Sequence, residues 1–171
     1  MMKNRKIGDP YAEVIDAFNK NGVKYVVIGM SGINYYASDA KGTFATQDFD
    51  IFIDPTIGNV KKAVSIFREL GYNIAVKEGE LKDGALKKTV AVKKTISATD
   101  PYGIMFELLL AVSGYRFDQM EKGASIFLVE SVPVKVAGLR KLLQSKRAAG
   151  RPKDKFFLKR YEIFLKGNEK N

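Results

Sequence analysis

Histidine and cysteine are both absent from this sequence. Without cysteine there is no disulfide framework, no thiolate metal site and no cysteine nucleophile. Without histidine there is no serine–histidine triad, no histidine general base and little scope for zinc chemistry. No apolar run approaches the roughly 18–20 residues of a membrane span. The opening "MMKNRKIGDP" has basic residues with no apolar segment behind them, so it does not read as a signal peptide. The expectation is a cytoplasmic protein with no membrane partner. Any catalysis is left to carboxylates, lysine, arginine, hydroxyls or a hard metal ion.

What is present fits one folded domain with a real core, or one domain and a small appendage, in 171 residues that are 46% hydrophobic and 28% charged. The net charge of +10 is unevenly spread. Residues 1–134 hold 17 basic against 16 acidic side chains, whereas residues 135–171 hold 12 against 3. A basic tail beside a nearly neutral body suits an anionic partner: nucleotide phosphates, nucleic acid or an acidic protein. A solvated helix face would look the same.

Asp9 and Pro10 fit the cap and first position of an amphipathic helix over "PYAEVIDAFNKNG", closed by Gly22. A strand over 23–29 leads to a short helix, "SGINYYASDA", opened by Ser31. The strand "TQDFDIFID" (46–54) stops at Pro55, and "GNVKKAVSIFRELG" is a helix stopped by Gly71. "YNIAVKE" reads as a strand, "GELKDGAL" as a polar loop and "KKTVAVKKTISAT" as an extended segment turning at "DPYG". "IMFELLLAV" (104–112) is an apolar strand, followed by a helical "YRFDQMEKG" and short strands around Pro133. Two helices parted by Gly150 complete the chain. The alternation predicts an α/β (α+β) domain: a mixed sheet with flanking helices and a C-terminal helical extension. The expected division is a core over 1–137 and a basic helical extension packed on it over 138–171.

The strand 46–54 poses the chemical question. Side chains two apart on a strand share a face, so Asp48 and Asp50 stand together opposite Phe49, Ile51 and Ile53. Glu107 is the only polar side chain between Ile104 and Val112. An ionised carboxylate in such a run is costly unless it is paired or binds a cation; a sheet-edge position or a lysine of the tail would also satisfy it. Taken together, the three carboxylates make an oxygen-rich pocket of the kind Mg²⁺ takes when it also holds phosphates. "VIGMSG" (27–32) runs an apolar strand into Gly29 and then a helix. That is either a phosphate-binding turn or a plain capped turn. It is neither a Walker A loop nor G-x-G-x-x-G.

In this order — glycine/serine turn, short helix, D-x-D strand, later single-carboxylate strand — the sequence resembles the nucleotidyltransferase superfamily of the DNA polymerase β-like fold, whose signature is hG[GS], [DE]h[DE]h and h[DE]h. "GLRKLLQSKRAAGRPKDKFF" (138–157) is similar to the lysine helix and A-G-R-P-K-D segment of small bacterial members related to AbiEii-type toxins. The resemblance spans roughly residues 23–165. It implies Asp48 and Asp50 as the metal-binding pair and Glu107 as the third carboxylate, binding metal or deprotonating the acceptor. Gly29 and Ser31 would contact phosphates, Lys146, Arg151 and Lys153 would face the triphosphate, and Asp154 would organise the helix junction. The cofactor implied is Mg²⁺ (or Mn²⁺), and the substrate an NTP.

Three features depart from the pattern. Met30 follows the glycine where a small residue is usual, Phe44 stands where relatives often carry arginine, and Tyr35–Tyr36 follow the turn. The activity implied is transfer of a nucleoside monophosphate, with release of pyrophosphate, to an RNA end, a protein or a small molecule. The competing expectations are a non-catalytic nucleic-acid-binding domain and one half of a toxin–antitoxin pair.

Overall fold

Asp9 caps the first helix by accepting the Tyr11 and Ala12 N–H groups at 2.8 and 3.1 Å, and Pro10 opens it. The computed structural model describes residues 6–37, 43, 46 and 48–169, with side chains of the last helix described as far as Glu162. Phe44, the end of the predicted 31–40 helix and the Lys166 side chain lie outside the described residues. The elements run α1 (Pro10–Lys20), β1 (Tyr25–Val27), α2 (Gly29–Asn34), β2 (Phe49–Ile53), α3 (Ile57–Glu69), β3 (Asn73–Val76) and β4 (Gly79–Glu80). They continue α4 (Leu86–Ala91), β5 (Ile96–Thr99), β6 (Met105–Leu109), α5 (Phe117–Glu121), β7 (Ser125–Val129), β8 (Val132–Val136), α6 (Leu139–Ala149) and α7 (Pro152–Glu169).

The strands form one sheet in the order β4-β3-β5-β6-β2-β1-β8-β7. The pairs β1–β8 and β2–β6 are parallel and the others antiparallel, so the sheet is mixed, as the alternation of elements predicts. On one face, Phe49, Ile51, Ile74, Ala98, Phe106 and Leu108 are buried. There Tyr11 of α1 stacks on Phe49 at 4.7 Å, and Phe67 of α3 meets Phe106 at 5.1 Å. Burying each such ring contributes about 1.5–3 kcal/mol, so this layer anchors the fold. On the other face Phe52 packs on Phe117 of α5, and α6 lies against α2 where Leu142 abuts Gly32. Among the described residues no helix is long and apolar enough to cross a membrane.

Two segments differ from their sequence reading. The first half of "KKTVAVKKTISAT" is helical, because Leu86, Thr89 and Val90 fall at i, i+3 and i+4 and turn one stripe inward; only Ile96–Thr99 is strand. The polar "GELKDGAL" loop contains β4 and a 3-10 turn over Asp83–Ala85. The helix after β1 also begins earlier than expected. Gly29 opens it, and Ser31 lies within its first turn instead of capping it.

Candidate active site

Asp50 and Glu107 are direct partners across the parallel β2–β6 pair, so their side chains stand on the same face of the sheet. Asp48, two residues earlier, lines the same cleft. The cleft measures about 500 Å³ and brings Gly29, Asp48, Asp50 and Glu107 opposite Lys146, Arg151 and Lys153. Seven of the eight residues singled out by sequence therefore share one cavity. Ser31 is the exception: it is buried, its hydroxyl donates to the Ile28 carbonyl at 2.9 Å and it accepts the Asp50 N–H at 3.1 Å.

That tether shows why the turn after β1 has its composition. Ile28 N–H donates to the Asp50 carbonyl at 3.0 Å, so the turn is stitched to Asp50 through both backbone groups of that residue. Gly29 adopts φ +64°, and a Cβ there would meet Asp50 Oδ2 at 2.3 Å. The glycine thus makes room for the carboxylate itself.

Charge accumulates here at a cost. Burial, with Glu107 and Asp48 adding to it, pushes the Asp50 carboxyl up to about 7, against the opposing pull of Lys146 and Lys153. Burial and Asp48 also raise Glu107, with Lys153 opposing. Such a pocket accepts a cation readily. Asp48, Asp50 and Glu107 offer carboxylate oxygens, the chemistry that Mg²⁺ or Mn²⁺ prefers. Among the described residues no group of three acidic side chains forms a ready-made cation cage. Mg²⁺ seldom uses one, because it is bound by one or two carboxylates together with substrate phosphates and waters.

The opposite wall is organised by Asp154, which is 1% exposed. Its carboxylate accepts from Arg151 Nε at 2.6 Å, Arg151 Nη2 at 3.3 Å and Lys146 Nζ at 3.4 Å. Burial raises this carboxyl, but the Arg151 hydrogen bond and the Lys146 and Arg151 charges outweigh it and hold it below its usual value. Gly150, in a left-handed conformation, ends α6 and lets α7 leave at a new angle. Lys146 from one helix and Arg151 from the junction converge on Asp154 in this way. Lys146 Nζ also stands 4.9 Å from the centre of the Phe157 ring.

Sequence reasoning missed several lining residues. Met30, Met120, Leu142 and Phe157 supply an apolar part of the wall. Ser145 donates to the Ser113 carbonyl at 2.8 Å, fastening the segment after β6 to α6. Helical spacing was the available signal: Leu142, Ser145, Lys146 and Ala149 share one stripe of α6.

No family model matches the chain, and no curated protein matches its sequence significantly. Among solved structures, the lincosamide antibiotic adenylyltransferase LnuA, lincomycin-bound, has a similar fold, with a TM-score of 0.57. The identity is 12%, over 92% of this chain and 98% of that one. The fold is of the nucleotidyltransferase type.

Proposed function

We propose that the chain is a metal-dependent nucleotidyltransferase, moving a nucleoside monophosphate from an NTP to an acceptor hydroxyl and releasing pyrophosphate. The observation that carries this reading is the in-register Asp50–Glu107 pair, with Asp48 beside it, facing Lys146, Arg151 and Lys153 across one cleft. The fold shared with an adenylyltransferase supports it, as does the resemblance of residues 138–157 to AbiEii-type members. Residues 1–137 are then the catalytic core and 138–171 the cation-bearing extension.

Asp48 and Asp50 would hold Mg²⁺ or Mn²⁺, which when bound neutralises phosphate charge and orients phosphate oxygens. Lys146, Arg151 and Lys153 hold the triphosphate and offset the charge that grows on the pyrophosphate as it departs. Asp154 keeps the first two in place before the substrate arrives, so little ordering is needed on binding. Glu107, whose carboxyl is raised by burial, takes the proton from the acceptor hydroxyl. The acceptor oxygen bonds to the α-phosphorus as the bond to the β-bridging oxygen breaks, and pyrophosphate leaves with that electron pair. Gly29 and Met30 border the space beside the carboxylates, while Ser31 holds Asp50 in place from beneath.

The test is incubation with each α-labelled NTP, Mg²⁺ or Mn²⁺, total RNA and a set of small hydroxylated acceptors. A labelled product that disappears in Asp50→Asn supports the reading. No product and no nucleotide binding with any NTP would overturn it.

A further inference from the structure

The two edges of the sheet are finished differently. At one edge β4 is only two residues long, Gly79–Glu80, and carries a charge. At the other, β7 runs five residues, Ser125–Val129, with no charged side chain, proline or glycine among them. Short, charged or proline-bearing edges keep a sheet from pairing with another chain. β7 has none of these safeguards. Its Ile126 and Leu128 side chains share one face and are 57% and 74% exposed. Phe127 turns to the other face, against Tyr35 and Tyr36 at 5.5 and 5.1 Å.

The β7–β8 hairpin fixes which backbone groups are free. Glu130 and Ser131 both have positive φ, +49° and +69°, the two-residue turn that makes Val129 and Val132 a hydrogen-bonded pair. Hydrogen-bonded and open pairs alternate, so Phe127–Val134 and Ser125–Val136 are bonded while Leu128–Pro133 and Ile126–Lys135 are open. The backbone of β8 agrees. The Pro133 carbonyl accepts from Asn19 Nδ2 at 2.8 Å, and the Lys135 N–H donates to the Tyr25 hydroxyl at 3.3 Å, both away from β7. Ile126 and Leu128 therefore turn their N–H and C=O groups out of the sheet. Among the described residues no strand pairs with them.

This edge is complementary to itself. Phe127 is the middle residue of β7, so two copies of the strand laid antiparallel about an axis at Phe127 pair along their whole length. Ile126 of each copy then faces Leu128 of the other. Both pairs exchange both backbone hydrogen bonds, and each sets an isoleucine against a leucine on the same face. A register centred on Ile126 or Leu128 leaves one end of each strand unpaired. No charge opposes the approach, because the strand carries none and its charged neighbours are engaged. Lys135 is bound to Glu121 at 3.8 Å, and the Glu130 carboxylate accepts the Gly8 and Asp9 N–H groups at 2.8 and 3.1 Å.

We propose that β7 is a self-association edge whose occupant is a second copy of this chain, joined antiparallel about Phe127 into one continuous sheet. Two edges of this length bury less than the roughly 1,200 Å² at which standard stable interfaces begin. The dimer is therefore reversible, with a dissociation constant on the order of 10–100 µM. β7 lies three strands from β2, about 14 Å away, so the cleft of each copy stays open. The association does not depend on the transfer reading.

The test is sedimentation velocity of the full chain from about 1 µM to 1 mM, a range that brackets that constant. The wild type should pass from monomer to dimer. Leu128→Lys should weaken association at least about 10-fold, because it sets a charge into each apolar pair. Tyr102→Lys, at a 92% exposed position away from β7, should change it less than about twofold. Both positions are exposed, so both variants should fold, which circular dichroism checks. Amide hydrogen exchange then identifies the edge. The Ile126 and Leu128 amides should slow as concentration rises, whereas Phe127, paired with Val134, stays protected throughout. A dimer indifferent to Leu128→Lys overturns the proposal, as does one in which the Ile126 and Leu128 amides never slow. A wild type that stays monomeric also overturns it. Slow amides in that monomer would mean the edge is covered within its own chain, and fast ones that it is left to a different protein.

Discussion

Gly29 and Asp50 are so close that a methyl group on the glycine would lie 2.3 Å from the Asp50 carboxylate. Gly22 has almost the same left-handed backbone, φ +68° against +64°, but nothing within 4 Å of its missing Cβ. The two positions separate backbone strain from site geometry. Alanine at either should cost roughly 1–2 kcal/mol of stability, the penalty for a left-handed L-residue. Only Gly29→Ala should also displace Asp50, lowering turnover by at least about 10-fold, since a shift of about 1 Å in a reacting group is that costly or more. Thermal melts and turnover of both variants check this. Equal activity in the two would mean that the glycine serves the turn alone.

Asp50 should destabilise the protein when no divalent ion is present. Its carboxyl titrates near 7 when folded, against an ordinary 3.8. Between those values the folded chain binds more protons than the unfolded one, so stability falls as pH rises through that window. Below pH 4 the effect vanishes, and by pH 8 it is complete. In a chelator at pH 8, Asp50→Asn should melt higher than wild type by roughly 5 °C, and the gap should close towards pH 5. Adding Mg²⁺ should raise the wild-type melting temperature at pH 8 and leave the variant nearly unchanged. Activity should move oppositely, with Asp48→Asn and Asp50→Asn each losing at least about 100-fold. A flat stability difference across pH would show that Asp50 is not the group being relieved.

How much of this was legible beforehand depended on whether the signal was local. Asp48 and Asp50 were readable as a pair, because strand period alone puts them on one face. Glu107 stood out because it interrupts an apolar run. Their meeting depended on β2 and β6 pairing in parallel, which no local pattern specifies. Ser31 was harder to read for the same reason. A serine after a glycine looks like a cap or a phosphate contact, whereas its partners are Ile28 and the Asp50 backbone, the latter 19 residues away. The 86–91 helix was lost because its six residues are too few for a clear period. The amphipathic α1 and α3, with eleven and thirteen residues, were plain.

Asp154 holds two cations with one buried carboxylate, so neutralising it should damage fold and site together. Its lowered value means the stability it contributes is present above the ordinary carboxylate range and is lost as pH falls below about 4. Asp154→Asn should therefore destabilise the chain at neutral pH by roughly 1–3 kcal/mol, the usual cost of breaking a buried charged network. It should also weaken NTP binding, because Lys146 and Arg151 lose their shared anchor. The difference between variant and wild type should shrink in melts at pH 3. A variant as stable as wild type at pH 7 would remove Asp154 from this role.

The basic tail allows the sharpest comparison, since many of its charges lie outside the cleft. Lys146 and Arg151 line the cavity, whereas Lys159 is exposed on α7 and is not among the lining residues. If the first two grip the triphosphate, Lys146→Ala and Arg151→Ala should each weaken NTP binding by roughly 10-fold, the scale of one lost charge-assisted hydrogen bond. Arg151 is more exposed than Lys146, 57% against 15% at the side chain, so solvent should soften its loss and Lys146 should matter more. Lys159→Ala should change affinity less than about twofold, as an isolated surface charge does. NTP affinity of the three variants at one Mg²⁺ and salt concentration gives the answer. Three equal small losses would instead describe a diffuse field suited to a polyanion, and that pattern would move the tail from the active site to a nucleic-acid surface.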